Sequence, residues 1–221
     1  MDYKAFLFDL NGTMIDDMQY HVKAWHRIFN ELGANISMER MKQESYGKNH
    51  EVIERVMPGR FSEKEKTEMS FAKERQYQEE FKPHLKLIDG LDVFLDTARR
   101  QNIKLAIGSA AITFNIDFVL DGLDIRKYFS VIVSADDVTR SKPDPETYLK
   151  CAEALHISPG DCIVFEDAPK GVESAQNAGM RSVVLTILHT QHEFDQYQNI
   201  VAFGKDYNDK DLLNFFGNTF S

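Results

Sequence analysis

Ala5-Phe6-Leu7-Phe8-Asp9-Leu10-Asn11-Gly12-Thr13 is the stretch that decides the fold of this chain. Four apolar residues run straight into a carboxylate. A strand that is apolar on successive residues has no face to offer solvent, so it belongs inside a sheet covered on both sides. Asn11-Gly12-Thr13 reads as a turn that carries the chain off that strand. Asp9 and Asn11 therefore stand at its carboxyl end.

Outward from this stretch the texture changes. From about residue 16 to residue 81 the pattern is helical, with no strand. Val22, Trp25, Ile28, Phe29 and Leu32 recur at helical spacing, and Gly33 closes that helix. Ser37 is placed to cap a second helix. Ser62-Glu63-Lys64-Glu65 is a capping box that opens a long charged helix reaching Phe81. Its charge reads as a solvated face, with Met69, Phe71, Ala72 and Tyr77 as apolar contacts.

After Pro83 the strands return: Ile103-Lys104-Leu105-Ala106-Ile107, Val131-Ile132-Val133, Cys162-Ile163-Val164-Phe165 and Ser182-Val183-Val184-Leu185. Helical stretches fall between them around 92–100, 145–155 and 170–178. Such alternation implies βαβ units and a parallel sheet. The expected architecture is α/β: a doubly wound, Rossmann-like parallel sheet built from 1–15 and 83–221. An all-α insert, 16–82, interrupts it after the first strand, with hinges near 14–17 and 81–89.

Composition narrows the function classes. Among 221 residues, 35 acidic side chains outnumber 26 basic ones, for a net charge of −9. A broad basic surface for nucleic acid is thereby excluded. At 43% hydrophobic the chain is neither disordered nor membrane-spanning. Cys151 and Cys162 lack metal-ligand spacing and read as buried small residues, with a disulfide or a reactive thiol as the alternative. The first residues lack the pattern of a secretory leader, so a cytoplasmic location is expected. Nothing demands an oligomer, and a monomer is expected.

Ligands of an open parallel sheet bind beyond the carboxyl ends of its strands. The polar residues there are Asp9 and Asn11, then Ser109, then Glu166 and Asp167, with Lys142-Pro143-Asp144-Pro145 after the third strand. Taken singly, a strand-end carboxylate is a helix cap or turn former, and a lone lysine is a surface residue. Four segments delivering carboxylates, a hydroxyl and an ammonium to one edge point to chemistry.

These residues resemble the signatures of the haloacid dehalogenase (HAD) superfamily. Phe8-Asp9-Leu10-Asn11-Gly12-Thr13 is similar to its first signature, Asp-x-Asp-Gly-Thr; Ser109, Lys142 and Glu166-Asp167 match the second, third and fourth. Asp16, Tyr20, His21, Ala24 and Trp25, with Phe165-Glu166-Asp167-Ala168-Pro169-Lys170-Gly171-Val172, resemble the β-phosphoglucomutase-like branch. The resemblance implies that Asp9 attacks phosphorus and forms an aspartyl-phosphate. It implies Mg²⁺ held by Asp9, the backbone carbonyl of Asn11 and Asp167, with Glu166 binding it directly or from behind. Lys142 and Ser109 would grip the phosphoryl oxygens, helped by the backbone N–H groups of Leu10 and Ala110. The physics agrees: a carboxylate approaching an anionic phosphate is repelled unless cations neutralise the equatorial oxygens.

Asn11 departs from the pattern. The family's phosphatases and mutases have a second aspartate there, which protonates the leaving oxygen and then activates water. An amide cannot transfer that proton, so strongly reduced turnover is expected. Three explanations stand: an aspartate-to-asparagine variant of an active enzyme, favoured because every other signature is intact; a non-catalytic phosphate-binding pseudo-enzyme; or a true dehalogenase, opposed by a Glu166-Asp167 pair suited to Mg²⁺.

The insert should act as a lid that selects the substrate. Ungapped alignment with β-phosphoglucomutases puts Asn49, Ala111 and Ile112 where those enzymes grip the far phosphate of their sugar with an arginine and a Ser-Lys pair. A hexose bisphosphate would leave that phosphate unpaired. Glu44 falls in the lid loop facing the site, where it narrows the cavity or orients a metal-bound water; otherwise it is a solvated helix-end glutamate. With Lys48 and Lys73 nearby, a compact anion such as pyrophosphate would fit. His21 is placed to bond the Asn11 side chain, or is a satisfied helix histidine. The resemblance is nearest to a HAD-type inorganic pyrophosphatase, with a β-phosphoglucomutase or sugar-phosphate phosphatase as the alternative. The partner expected is a small phosphorylated anion, pyrophosphate or a phosphate monoester.

Overall fold

The computed structural model describes residues 3–217. The chain divides into two compact units, Met1–Asp16 with Lys86–Ser221, and Asp17–Leu85. Along the chain, β1 (Ala5–Phe8) precedes four helices: α1 (Met18–Glu31), α2 (Met38–Glu44), α3 (Asn49–Val56) and α4 (Glu63–Phe81). Then come α5 (Leu91–Arg100), β2 (Lys104–Gly108), α6 (Thr113–Gly122), β3 (Val131–Val133), α7 (Glu146–Leu155) and β4 (Cys162–Glu166). The chain continues through α8 (Pro169–Asn177), β5 (Arg181–Leu185), β6 (Ile200–Gly204) and α9 (Lys210–Phe216).

The first unit is an α/β Rossmann-like fold around a six-stranded sheet of order β3-β2-β1-β4-β5-β6. Every pairing is parallel, and Phe8 lies level with Ile107 on one side and Phe165 on the other. All four residues of β1 are buried, as its unbroken apolar run requires. Phe6 and Phe8 face an aromatic layer in which Phe6 lies 5.7 Å from Phe94 of α5 and 5.2 Å from Phe216 of α9. Phe8 stacks on Phe165 at 4.5 Å. Ala5 and Leu7 point the other way, into a cluster with Tyr148 and Cys151 of α7 and Ala175 of α8. Each large ring sealed in this way contributes on the order of 1.5–3 kcal/mol. The order in which successive strands are added reverses beside β1, between β1 and β4, which opens the crevice beyond the strand ends.

The sheet is one strand wider than the sequence patterns suggest, because β6 is an edge strand whose first four residues are only partly buried. Helices α6 and α9 likewise fall outside the helical stretches that the sequence patterns mark. In α6, Phe114, Ile116 and Phe118 alternate with polar residues and mimic a strand.

In the second unit, Val22, Trp25, Phe29, Ile36, Met41, Val52, Ile53 and Met57 form the core. Ser37 accepts from the Arg40 N–H at 3.2 Å, and Ser62 and Glu65 close the capping box reciprocally. The charge of α4 is not simply a solvated face. Lys66, Ser70, Lys73, Glu74, Tyr77 and Phe81 recur at helical spacing and are buried, whereas Phe71 is exposed. This inward stripe is polar, so apolar periodicity could not reveal it. Among the described residues no helix is long and apolar enough to cross a membrane.

Candidate active site

Three carboxylates meet at the sheet's carboxyl edge. Asp9 follows β1, Glu166 ends β4 and Asp167 comes next; oxygens of all three lie within 4.8 Å of one another, and all three residues are buried. The Lys142 ammonium joins them, donating to Asp9 Oδ1 at 2.6 Å and to Glu166 Oε1 at 2.7 Å. Register explains the meeting: β1 and β4 are neighbours, so residues leaving their ends leave side by side.

The turn after β1 is shaped by this crowd. Met14 N–H donates to the Leu10 carbonyl at 2.8 Å, and Gly12 N–H to that of Ile15 at 2.8 Å. Gly12 has φ +75°, and a Cβ there would stand 2.1 Å from Asp167 Oδ2. Thr13 Oγ1 donates to Asp167 Oδ1 at 3.3 Å, while the Tyr207 hydroxyl donates to the Thr13 carbonyl at 3.2 Å. At β4, a Cβ on Gly171 would fall 1.8 Å from Glu166 Oε1. Both glycines are absences of side chain that make room for carboxylates.

Glu166 is held from every side. Oε1 also accepts from the Tyr148 hydroxyl at 2.6 Å, and Oε2 accepts from the N–H groups of Asp167 and Ala168 at 3.1 and 3.2 Å. The loop carrying Lys142 is tied down by Glu146, which accepts from Thr139 and Arg140 N–H at 3.0 and 2.9 Å and pairs with Lys150. The Arg140 N–H, then Lys150 and the Thr139 N–H, hold the Glu146 carboxyl down at about 2. Ser109 is buried beyond β2, its Oγ accepting from Ala111 N–H at 3.1 Å. Leu10 is buried and Ala110 partly so.

Electrostatics set the demand for a cation. Burial, then the charges of Glu166 and Asp9, push the Asp167 carboxyl well above the usual range. Burial would lower the Lys142 ammonium, but Asp9 and Glu166 outweigh it and hold it above its ordinary value. One ammonium against three buried carboxylates leaves net negative charge in a dry place. An all-oxygen, carboxylate donor set suits a hard divalent cation such as Mg²⁺. Asp9, Glu166 and Asp167 are the residues that could hold one.

The remaining expected residues lie in the second unit. His21 contacts Asp17 Oδ2 through Nε2 at 3.2 Å and Lys73 through Nδ1. Lys73 is not a surface cation for an anionic substrate: it is 2% exposed and donates to Glu74 at 3.0 Å. Glu44 ends α2 between Arg55, at 3.4 Å, and Arg40, at 3.8 Å, rather than standing as a free carboxylate. Asn49 donates to Glu74 Oε1 at 2.7 Å.

Sequence reasoning passes over Tyr148, Tyr207, Glu146, Gly12 and Gly171. The two tyrosines look like ordinary core residues. The glycines sit inside the quoted motifs, where the carboxylates they accommodate are also found.

A family model described as haloacid dehalogenase-like hydrolase matches residues 6–185. Fructose-1-phosphate phosphatase YqaB of Escherichia coli is 26% identical over 84% of this chain and 98% of its own length. The β-phosphoglucomutase of Bacillus subtilis is 30% identical over 81% of this chain and 82% of its own length. The crystal structure of β-phosphoglucomutase from Clostridium difficile superposes with a TM-score of 0.84 at 26% identity, covering 99% of this chain and 97% of that one. With six strands in this order and this cluster at their ends, the chain belongs to the haloacid dehalogenase-like hydrolase family, in its β-phosphoglucomutase-like branch.

Proposed function

We propose that the chain is a Mg²⁺-dependent phosphohydrolase of small phosphorylated metabolites, with phosphorylated sugars foremost. The observation that carries this reading is the Lys142 ammonium shared by Asp9 and Glu166 beside Asp167. Two of its relatives, a fructose-1-phosphate phosphatase and a β-phosphoglucomutase, support the substrate class.

Asp9 attacks phosphorus, an oxygen–phosphorus bond forms, and the bond to the leaving oxygen breaks. Water then attacks the aspartyl-phosphate, releasing phosphate and restoring Asp9. Lys142 stays protonated throughout and balances charge on the phosphoryl oxygens, with Ser109 bonding them. Bound Mg²⁺ supplies further neutralisation of those oxygens. The leaving oxygen needs a proton, and the Asn11 amide cannot give one. Turnover of the chain as it stands is therefore held low.

Pyrophosphate is the second reading. Ala111 and Ile112, aligned with the Ser-Lys grip of the β-phosphoglucomutases, carry no charge for a distant second phosphate, which favours a compact substrate. The burial of Lys73 removes one cation that reading would use. The deciding experiment measures phosphate release by Asn11→Asp from fructose 1-phosphate, glucose 6-phosphate and pyrophosphate. Preference for a sugar phosphate is expected. Preference for pyrophosphate would establish the second reading; phosphate binding without release from any of them would mark a non-catalytic protein.

A further inference from the structure

Two carbonyls of the turn after β1 are held by parts of the chain far from it in sequence. The turn closes other bonds on itself: the Leu10 carbonyl accepts from the N–H groups of Met14 and Ile15 at 2.8 and 3.4 Å, and the Ile15 carbonyl accepts from Gly12 N–H at 2.8 Å. The Thr13 carbonyl instead accepts from the Tyr207 hydroxyl at 3.2 Å, and the Met14 carbonyl from Ile88 N–H at 2.9 Å. Tyr207 joins these two supports, because its own N–H donates to the Asp89 carbonyl at 3.0 Å. The turn, residues 88–90 and the loop between β6 and α9 thus make a closed ring of bonds.

Tyr207 is built into that ring. It is fully buried, with its aromatic ring 5.3 Å from that of Phe94 and 6.0 Å from that of Phe165. Gly90, at φ +84°, leaves room for the next residue of the loop: a Cβ there would stand 2.5 Å from Asn208 Oδ1. Burial, then the charges of Asp167 and Asp9, hold the phenol well above its ordinary value, so the hydroxyl remains a donor. The residue it grips is itself committed. Thr13 is fully buried, and its Oγ1 donates to Asp167 Oδ1 at 3.3 Å. Two positions before it stands Asn11, where a proton for the leaving oxygen would have to come from.

We propose that Tyr207 is a positioning residue: its hydroxyl pins the Thr13 carbonyl and thereby fixes the place of the side chain at position 11. It acts through the turn and touches no substrate. The effect on rate rests on the phosphohydrolase reading; the effect on the turn does not.

Tyr207→Phe keeps the packed ring and removes the hydroxyl. Amide hydrogen exchange of the chain as it stands and of Tyr207→Phe is followed by mass spectrometry. Exchange in the segment 10–16 should quicken about 3–10-fold, the usual worth of one hydrogen bond, while α7 stays unchanged as the reference for general loosening. The rate test is made in an Asn11→Asp background, where kcat/KM reports transfer to Asp9. Tyr207→Phe should lower it about 3–10-fold for fructose 1-phosphate, but by less than about twofold for p-nitrophenyl phosphate, whose leaving group departs without a proton. Should Tyr207→Phe fold poorly, Gly90→Ala, which pushes on Asn208 of the same loop, is expected to quicken the same segment. Unchanged exchange in 10–16, an equal rise in α7, or an equal loss of kcat/KM on both esters would overturn the proposal. A responsive segment, with neither ester turned over in the Asn11→Asp background, would instead count against the phosphohydrolase reading alone.

Discussion

Gly12 and Asp167 occupy one space: a Cβ on Gly12 would stand 2.1 Å from Asp167 Oδ2, and Gly12 has φ +75°. The turn and the carboxylate that follows β4 are therefore parts of one fitted object, although 154 positions separate Thr13 from the Asp167 it bonds. Gly12→Ala should strain the turn and displace the carboxylate together. A loss of about 1–3 kcal/mol in urea denaturation is expected, with weakened Mg²⁺ binding by calorimetry. Full Mg²⁺ affinity in the variant would show that the two are separable.

Asn11→Asp should raise phosphate release by about 10²–10⁴-fold, the usual worth of a positioned general acid–base. The gain should appear in kcat, since the proton is needed only as the leaving oxygen departs. A stopped assay for inorganic phosphate checks it, and an unchanged rate would remove Asn11 as the limiting residue.

Lys142→Met takes away the ammonium between two buried carboxylates. Stability should fall by about 3–5 kcal/mol in the absence of divalent cation, and activity by about 10²-fold or more. The pH dependence of the parent has a definite sign. A lysine held above its ordinary value contributes stability that is fully present below about pH 10.4 and is lost only as the pH climbs through the raised value. Denaturant melts between pH 7 and pH 10 should show no loss traceable to this pair.

Glu146 behaves in the opposite sense. Its carboxyl titrates near 2 in the fold, well below an ordinary glutamate. Its contribution is present above about pH 4.3 and lost as pH falls from there through the folded value. Glu146→Gln should therefore flatten the acid limb of stability between these values. It should also slow catalysis severalfold by freeing the loop that carries Lys142. An acid titration followed by circular dichroism would expose an unchanged limb.

Burial raises the Cys151 thiol to about 12 and the Cys162 thiol to about 11. Neither should react with a disulfide reagent at pH 8 in the native protein, because the thiolate is the nucleophile. Both should appear on unfolding in denaturant. Prompt native reaction of either would contradict its placement in the core.

The sequence speaks plainly where burial is complete and polarity is confined to strand ends. β1, residues 105–108 of β2 and residues 162–165 of β4 are continuous buried apolar runs, and Asp9, Ser109 and Glu166 stand out against them. It misleads where that relation fails. Ile200–Gly204 forms an edge with little burial, and α6 alternates like a strand. Lys73 and Glu74 are charged residues turned inward to meet each other. Charge in a helix reads as outward, so their pairing is visible only in three dimensions. Tyr148 is the converse case: an aromatic at a core position, whose hydroxyl matters because of a carboxylate eighteen residues away.

β1 is the first strand made, yet its partners begin at Lys104 on one side and Cys162 on the other. On the ribosome, the apolar segment that ends in Asp9 must wait until most of the chain has emerged before either edge is covered. Closing such distant pairs is slow and leaves a sticky segment exposed meanwhile. The same order has a chemical consequence. Lys142, Glu166 and Asp167 lie beyond the halfway point, so a nascent or truncated chain carries Asp9 without the ammonium it pairs with and without the two carboxylates it meets. Competence for chemistry then arrives late and in one step, with the insertion of β4 beside β1.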